Sequence, residues 1–375
     1  MRVLFTGGGT GGHFYPIIAV AEKLNLLAEK EKILDWKLYF MSDAPYDRTA
    51  LYEQGISFIQ VPAGKLRLYF SIKNIFDGLK VVLGSFTALF KMFTIYPDVI
   101  FSKGGYASFP ALLAAWILRI PVIIHESDSA PGRVNKWAAR FARRIAVSFD
   151  EAGKDFPPEK TAWVGQPVRT SLQRVAREGA FEYLKLDPSV PVIFIIGGSQ
   201  GAQIINDNVV EALPELLNRY QIIHQCGTKN IEDINTIISV SLKNHPHKDR
   251  YKPFAYLNLL AMRMAAGASS LIISRAGSVI FEIASWGRPS IIIPITNSNR
   301  DHQRKNAYNY SRVGACDVIE EANLSPHLLI SEINRLMKDK GKREEMSKAA
   351  MAFAKPDAAE KIAREIITLA LEHEK

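Results

Sequence analysis

Short apolar runs alternate with amphipathic stretches along nearly the whole chain. The runs at 2–6, 37–41, 99–102, 122–125, 145–148, 192–196, 221–225, 271–274 and 290–294 have the length and near-continuous apolar character of strands buried on both faces. Between them lie helix-length segments such as 17–28, 205–217 and 279–285, and a last amphipathic segment, 358–371, follows Pro356. Strand–helix–strand alternation predicts an α/β protein with parallel sheets covered by helices on both faces. One opening occurs twice: an apolar strand, a glycine turn and then a helix, at 3–13 and again from 193. That repeat predicts two doubly wound, Rossmann-like domains rather than one large sheet. The stretch Gly165-Gln-Pro-Val-Arg169 punctuates the chain between them. The predicted domains are therefore 1–165 and 166–356, with the terminal helix, 357–375, able to pack back on the first or to cap the second.

Composition narrows the class. The chain has 375 residues, 47% of them hydrophobic and 23% charged, which suits two globular domains and excludes collagen-like, coiled-coil and disordered classes. Its two cysteines, Cys226 and Cys316, are far apart and lack metal-ligand spacing, so neither a disulfide framework nor a zinc site is expected, and a reducing, cytosolic compartment fits. The start of the chain does not read as a secretory signal. The longest apolar stretch, 109–124, is interrupted by Arg119 and Pro121 and falls short of the ~20 residues that cross a bilayer, so a peripheral rather than a spanning protein is expected. Nearly all of the formal net charge of +9 comes from residues 65–144, with twelve Lys and Arg against four acids. Within it, 65–76 interleaves cations such as Lys65, Arg67 and Lys73 with large apolar residues. That pattern suits an anionic membrane surface better than a core helix. No nucleic-acid module accompanies it, and no nucleic-acid partner is expected.

Three glycine-rich turns follow predicted strands, at 7–12, 104–106 and 197–201. Glycines there let the backbone approach a phosphate, which then meets the N–H groups and positive dipole end of the next helix. The first loop also fits Gly-x-Gly-x-x-Gly as Gly7, Gly9 and Gly12, a pattern that a nicotinamide cofactor shares; the ribose acid such a cofactor requires is poorly placed, Asp43 being the nearest. His13 opens the following helix, where the dipole favours neutral imidazole, a usable general base. A second cluster spans 274–282, with Arg275 and Glu282 beside another strand–glycine–helix turn. An acid in the first helical turns there can accept hydrogen bonds from a ribose diol. No Asp-x-Asp occurs, so a metal-bridged diphosphate is unsupported and no metal or cofactor is predicted. Helix ends and arginines such as Arg169 would neutralise a leaving phosphate.

Together these segments resemble the MurG family of peripheral GT-B glycosyltransferases. The resemblance is carried by Gly7-Gly-Gly-Thr-Gly-Gly-His13, Gly104-Gly-Tyr-Ala-Ser108, His125-Glu126 with Asn135-Lys136, the 165–169 stretch, Gly197-Gly-Ser-Gln-Gly-Ala202, Ser274-Arg-Ala-Gly277 through Glu282, and His302-Gln303 with Asn306-Ala307, in the family's order. It implies two Rossmann-like domains facing a cleft. The activity it implies is inverting, metal-independent transfer of N-acetylglucosamine from UDP-N-acetylglucosamine to the C4 hydroxyl of the muramoyl sugar of undecaprenyl-diphosphate-linked muramoyl-pentapeptide. The place it implies is the cytoplasmic face of the cell membrane, during peptidoglycan synthesis. By the same resemblance His13 is the base. Ser199, Gln200 and Gly201 meet the donor diphosphate with Arg169, and Arg275, Ser278 and Val279 lie near the base and ribose. Glu282 binds the ribose, Gln303 the sugar, and Thr10, Gly11 and Gly12 complete the donor site. Tyr106, Glu126, Asp128 and Asn135 serve the acceptor. The chain departs from the family's pattern in three places: Glu126-Ser-Asp128 stands for Glu-Gln-Asn, Gln166 for Asn, and the 275–282 segment is one residue shorter. These departures keep open a related transferase with another UDP-sugar or lipid acceptor.

Overall fold

The structure is a computed structural model describing residues 1–65, 73–197, 202–296 and 298–373. The chain divides into two compact units, Met1–Thr170 with Lys355–Lys375, and Ser171–Ala354.

The first unit holds a seven-stranded parallel sheet: β1 (Arg2–Thr6), β2 (Lys37–Ser42), β3 (Ile56–Gln60), β4 (Val99–Ser102), β5 (Val122–Glu126), β6 (Arg144–Val147) and β7 (Thr161–Trp163). Their order across the sheet is β3-β2-β1-β4-β5-β6-β7. The second holds six parallel strands: β8 (Val192–Ile196), β9 (Gln221–Gln225), β10 (Tyr251–Phe254), β11 (Leu271–Ser274), β12 (Ser290–Ile292) and β13 (Cys316–Val318), in the order β10-β9-β8-β11-β12-β13. In each unit the winding reverses between the first strand and the fourth, β1 beside β4 and β8 beside β11. Ligands of doubly wound sheets bind at such reversals, beyond the carboxyl ends of the strands. The central strands β4, β5, β8, β9 and β11 are buried along their whole length.

The four strands absent from the sequence reading, β3, β7, β10 and β13, are the four sheet edges. β7 and β13 have three residues each, β10 contains Pro253, and β7 exposes two of its three residues, so none reads as a continuous apolar run.

The unit boundary falls after Thr170, not at Gly165, because the intervening segment is tied to the helix Gly11–Lys30 of the first unit. The Arg169 guanidinium lies 4.0 Å from the centroid of the Tyr15 ring, and the Thr170 N–H donates to Glu22 at 3.2 Å. On the return crossing, Lys355 packs against Gly165 and sets its ammonium 4.4 Å from the centroid of the Trp163 ring. The terminal helix Ala358–His373 then packs on the helix Gly11–Lys30. Ala359, Ile362, Ala363, Ile366 and Ala370 join Phe14, Ile17 and Leu24 in one core.

The helix Lys73–Ile95 has two unlike faces. Gly84 approaches the Pro62 carbonyl too closely for any side chain, and Ala88 and Met92 are fully buried. Phe76, Leu79, Leu83, Phe86, Phe90 and Phe93, spaced by three and four residues, are exposed. The sequence reading singled out 109–124 as the longest apolar stretch. It is instead Phe76–Ile95 that is long and apolar enough to cross a membrane, by length and composition alone.

Candidate active site

In the first unit, the loop after β1 is shaped by contacts that only glycine permits. A Cβ on Gly8 would lie 2.6 Å from Ser42 Oγ, and Gly9 has φ of +91° with the Tyr106 ring against it. Thr10, in extended conformation, is the N-cap of the helix Gly11–Lys30, and its carbonyl accepts from the His13 and Phe14 N–H groups. Its hydroxyl lies 2.9 Å from His13 Nδ1. The imidazole is therefore oriented through Nδ1, while Nε2 points toward the second glycine loop, 4.0 Å from where a Cβ on Gly105 would stand. Gly104 and Gly105 have φ of +74° and +83°, and a side chain on Gly104 would collide with the Asn135 amide. The Tyr106 hydroxyl donates to Asp43 at 2.8 Å; burial and that bond push its pKa up to about 12, so it stays a phenol. The structure thus brings together Thr10, Gly11, Gly12, His13, Tyr106 and Asn135.

Beneath these loops lies a polar cluster that composition concealed. Lys103, counted by sequence among the surface cations, is 1% exposed at the end of β4. Its ammonium donates to His125 Nδ1, to Ser127 Oγ at 2.6 Å and to Gln166 Oε1 at 3.2 Å. His125 Nε2 donates in turn to the Gly165 carbonyl at 2.9 Å, which fixes the tautomer with Nδ1 as acceptor. Burial, and then the lysine charge, hold His125 well below its ordinary pKa, so it is neutral. Glu126 accepts from the Asp128 N–H at 3.1 Å, and from the Gly132 N–H and Asn135 Nδ2 at 2.9 Å each. Burial and the Asp128 charge raise its pKa against those three donors. Asn135 Oδ1 is buried without a partner beside Gly104. The one signal in the sequence is position: Lys103 directly follows a buried strand and precedes two glycines.

In the second unit, Ser199, Gln200 and Gly201 lie outside the described residues; the helix Gln203–Leu216 follows them. Arg275, expected to face a ligand, is buried and braced from two sides. Its Nη1 donates to the Ile293 carbonyl at 3.1 Å and its Nη2 to Glu321 at 2.5 Å. Burial pushes Glu321 up, but the Thr296 N–H and Arg275 outweigh it and hold the carboxyl below its ordinary pKa. Ser278 is the N-cap of the helix Val279–Trp286, which places Val279 and the half-buried Glu282 in its first turn. Gln303, in the helix His302–Arg312, accepts from the Ile295 N–H at 3.2 Å. Asn306 donates to the Ala276 carbonyl at 3.1 Å, holding the turn after β11.

Two doubly wound, Rossmann-like units, each with its winding reversed at the centre of its sheet, give the chain the GT-B fold. Models described as the glycosyltransferase family 28 N-terminal and C-terminal domains match residues 3–147 and 192–362. The chain is 39% identical over 338 residues to the UDP-N-acetylglucosamine–N-acetylmuramyl-(pentapeptide) pyrophosphoryl-undecaprenol N-acetylglucosamine transferase 3 of Bacillus thuringiensis (strain Al Hakam), covering 89% of this chain and 91% of that one. It is 35% identical over 372 residues to the corresponding transferase of Treponema pallidum (strain Nichols), covering 98% and 95%. The crystal structure of Acinetobacter baumannii MurG superposes with a TM-score of 0.74 at 24% identity, covering 98% of this chain and 99% of that one. The chain belongs to glycosyltransferase family 28 and, within it, to the MurG family of N-acetylglucosaminyltransferases.

Proposed function

We propose that this chain transfers N-acetylglucosamine from UDP-N-acetylglucosamine to the C4 hydroxyl of the muramoyl sugar of undecaprenyl-diphosphate-linked muramoyl-pentapeptide, with inversion. Beside the relatives' activity, the observation that carries this reading is His13. It is held through Nδ1 by the Thr10 hydroxyl, with Nε2 directed at the Gly104–Gly105 turn. In the reaction, His13 Nε2 takes the proton of the C4 hydroxyl as its oxygen bonds to the anomeric carbon. The bond from that carbon to the diphosphate breaks, and UDP leaves with the electron pair. Helix N-termini, including that of Gln203–Leu216, and Arg169 stabilise the departing charge without a metal. Glu282 takes the ribose hydroxyls and Gln303 the donor sugar. Ser199, Gln200 and Gly201 bind the diphosphate, and Ser278 and Val279 the uridine side. Tyr106, Glu126, Asp128 and Asn135 order the acceptor loop, and Arg275 shapes the base pocket through its brace.

Most of 65–76 lies outside the described residues, and the exposed apolar face of the first unit is on the helix Lys73–Ile95. We propose that this face, with Trp116 and Ile117 of the neighbouring helix Phe109–Leu118, lies in the headgroup–acyl boundary of the cytoplasmic leaflet. Ala88 and Met92 anchor the helix in its own domain, which favours lying in the membrane plane over spanning.

The test is label transfer from UDP-N-acetylglucosamine to the lipid-linked acceptor with a chelator present. Transfer supports the reading. UDP binding without transfer from this donor, but with transfer from UDP-glucose or UDP-galactose, would move it to a related transferase. Ser127 and Asp128 are then the first positions to revert.

A further inference from the structure

Lys103 stands where the first unit's chemistry converges. Its backbone leads into Gly104 and Gly105, and its Cβ packs 3.0 Å from where a Cβ on Gly7 would stand. Its ammonium joins β5 (His125), the loop after β5 (Ser127) and the segment leaving the unit (Gln166). Ser127 and Gln166 are two of the positions where the chain departs from its family's pattern. A third, Asp128, acts on the lysine by charge.

We propose that Lys103 is the positioning residue of the acceptor loop, holding it through three hydrogen bonds that only its ammonium form can donate together. The proposal rests on the functional reading above. Donor count and charge together favour the ammonium. An ammonium offers three N–H groups, and three acceptors surround it: His125 Nδ1, Ser127 Oγ and Gln166 Oε1. His125 cannot reverse its role, because its other nitrogen is committed to the Gly165 carbonyl. Gln166 Oε1 already accepts from Ser148 at 2.9 Å, which keeps its carbonyl side turned inward. A neutral amine has two N–H groups and keeps the third contact only by accepting from the Ser127 hydroxyl, which gives up the charge-assisted bonds that the ammonium makes. The balance between the two forms lies near neutrality. Burial lowers the lysine pKa to about 7 against the opposing pull of Glu126 and Asp128. The titratable groups facing it are those two carboxylates and neutral His125, which has His13 nearby. A diphosphate-bearing acceptor at the Gly104–Gly105 turn adds negative charge nearby. It therefore binds better to the ammonium form, and its binding is linked to proton uptake.

The experiment is steady-state transfer by the full chain between pH 6.5 and 9, varying acceptor and donor separately, for wild type, Lys103→Met and Ser127→Ala. The wild-type acceptor KM should rise with pH above the lysine transition, by up to about tenfold per pH unit, with donor KM flat. Lys103→Met should raise acceptor KM at pH 6.5 by about tenfold and remove the pH dependence, leaving kcat within about threefold. Ser127→Ala removes one acceptor that favours the ammonium, so the transition should move to lower pH; this variant decides the matter if Lys103→Met fails to fold. A wild-type acceptor KM flat across the range, or a Lys103→Met profile superimposed on wild type, overturns the proposal while leaving the functional reading intact. Absence of transfer by the wild-type chain at every pH overturns both.

Discussion

The two units share one plan, and the difference lies in what stands beneath their switch points. In the first, the polar groups behind the loops are a lysine, a neutral histidine and a carboxyl whose pKa is raised, all buried. Of these, Lys103, with its pKa lowered by burial to about 7, is the group that changes protonation near neutrality. In the second, the buried charge is a guanidinium locked to a carboxylate and a carbonyl. Against burial, the Thr296 N–H and Arg275 hold Glu321 below its ordinary pKa, so that brace is fixed near neutrality. The difference fits the tasks proposed for the two units. A donor site must present one rigid nucleotide, whereas an acceptor site must tolerate a proton moving beside it.

That contrast can be attacked at several points. The largest effect is expected from His13→Ala, which should lower kcat at least ~100-fold, the scale of general-base loss, with UDP affinity unchanged. Unchanged turnover removes His13 from the chemistry. Glu321→Ala should destabilise the second unit by about 3 kcal/mol, because it strands the buried Arg275 charge, while leaving the melting of the first unit in place. The sign with pH follows from Glu321 having a lowered pKa in the folded state. Its contribution is complete above the ordinary carboxyl range and is lost as pH falls through the folded value. A chemical melt in which both units shift together would show that the two are not independent. Phe86→Ser with Phe90→Ser should weaken binding to anionic vesicles by roughly tenfold or more, since each phenylalanine is worth about 2 kcal/mol of buried apolar surface. Vesicle binding equal to wild type would dismiss this face. A last effect concerns stability alone. The folded lysine pKa of about 7 lies below its ordinary 10.5, so the unfolded chain binds a proton that the folded one does not. Wild-type stability should therefore rise with pH across that window relative to Lys103→Met. Parallel stability curves would place Lys103 in contact with water.

Sequence revealed the interior of both sheets because buried parallel strands are nearly pure apolar runs; β1, β4, β8, β9 and β11 have the bounds their residues predict. The edges were illegible for the opposite reason. An edge strand needs only one paired side, tolerates Pro253, and can be as short as Cys316–Val318. At the site, glycines after strands located the loops and His13, since backbone approach leaves a residue-type signature. Lys103 was hidden because a cation is a surface residue by default, and only three-dimensional neighbours show that one is satisfied inside. The apolar helix was hidden by Lys80 and Lys91, which lie among its exposed phenylalanines and break up the run.

The division of labour between the units comes down to a calorimetric titration of UDP into His13→Ala and Glu282→Ala beside wild type. His13→Ala should bind UDP as wild type does, and Glu282→Ala should bind at least about tenfold more weakly, having lost its hydrogen bonds to the ribose. Equal UDP affinity for Glu282→Ala and wild type, or loss of UDP binding in His13→Ala, would refute that division.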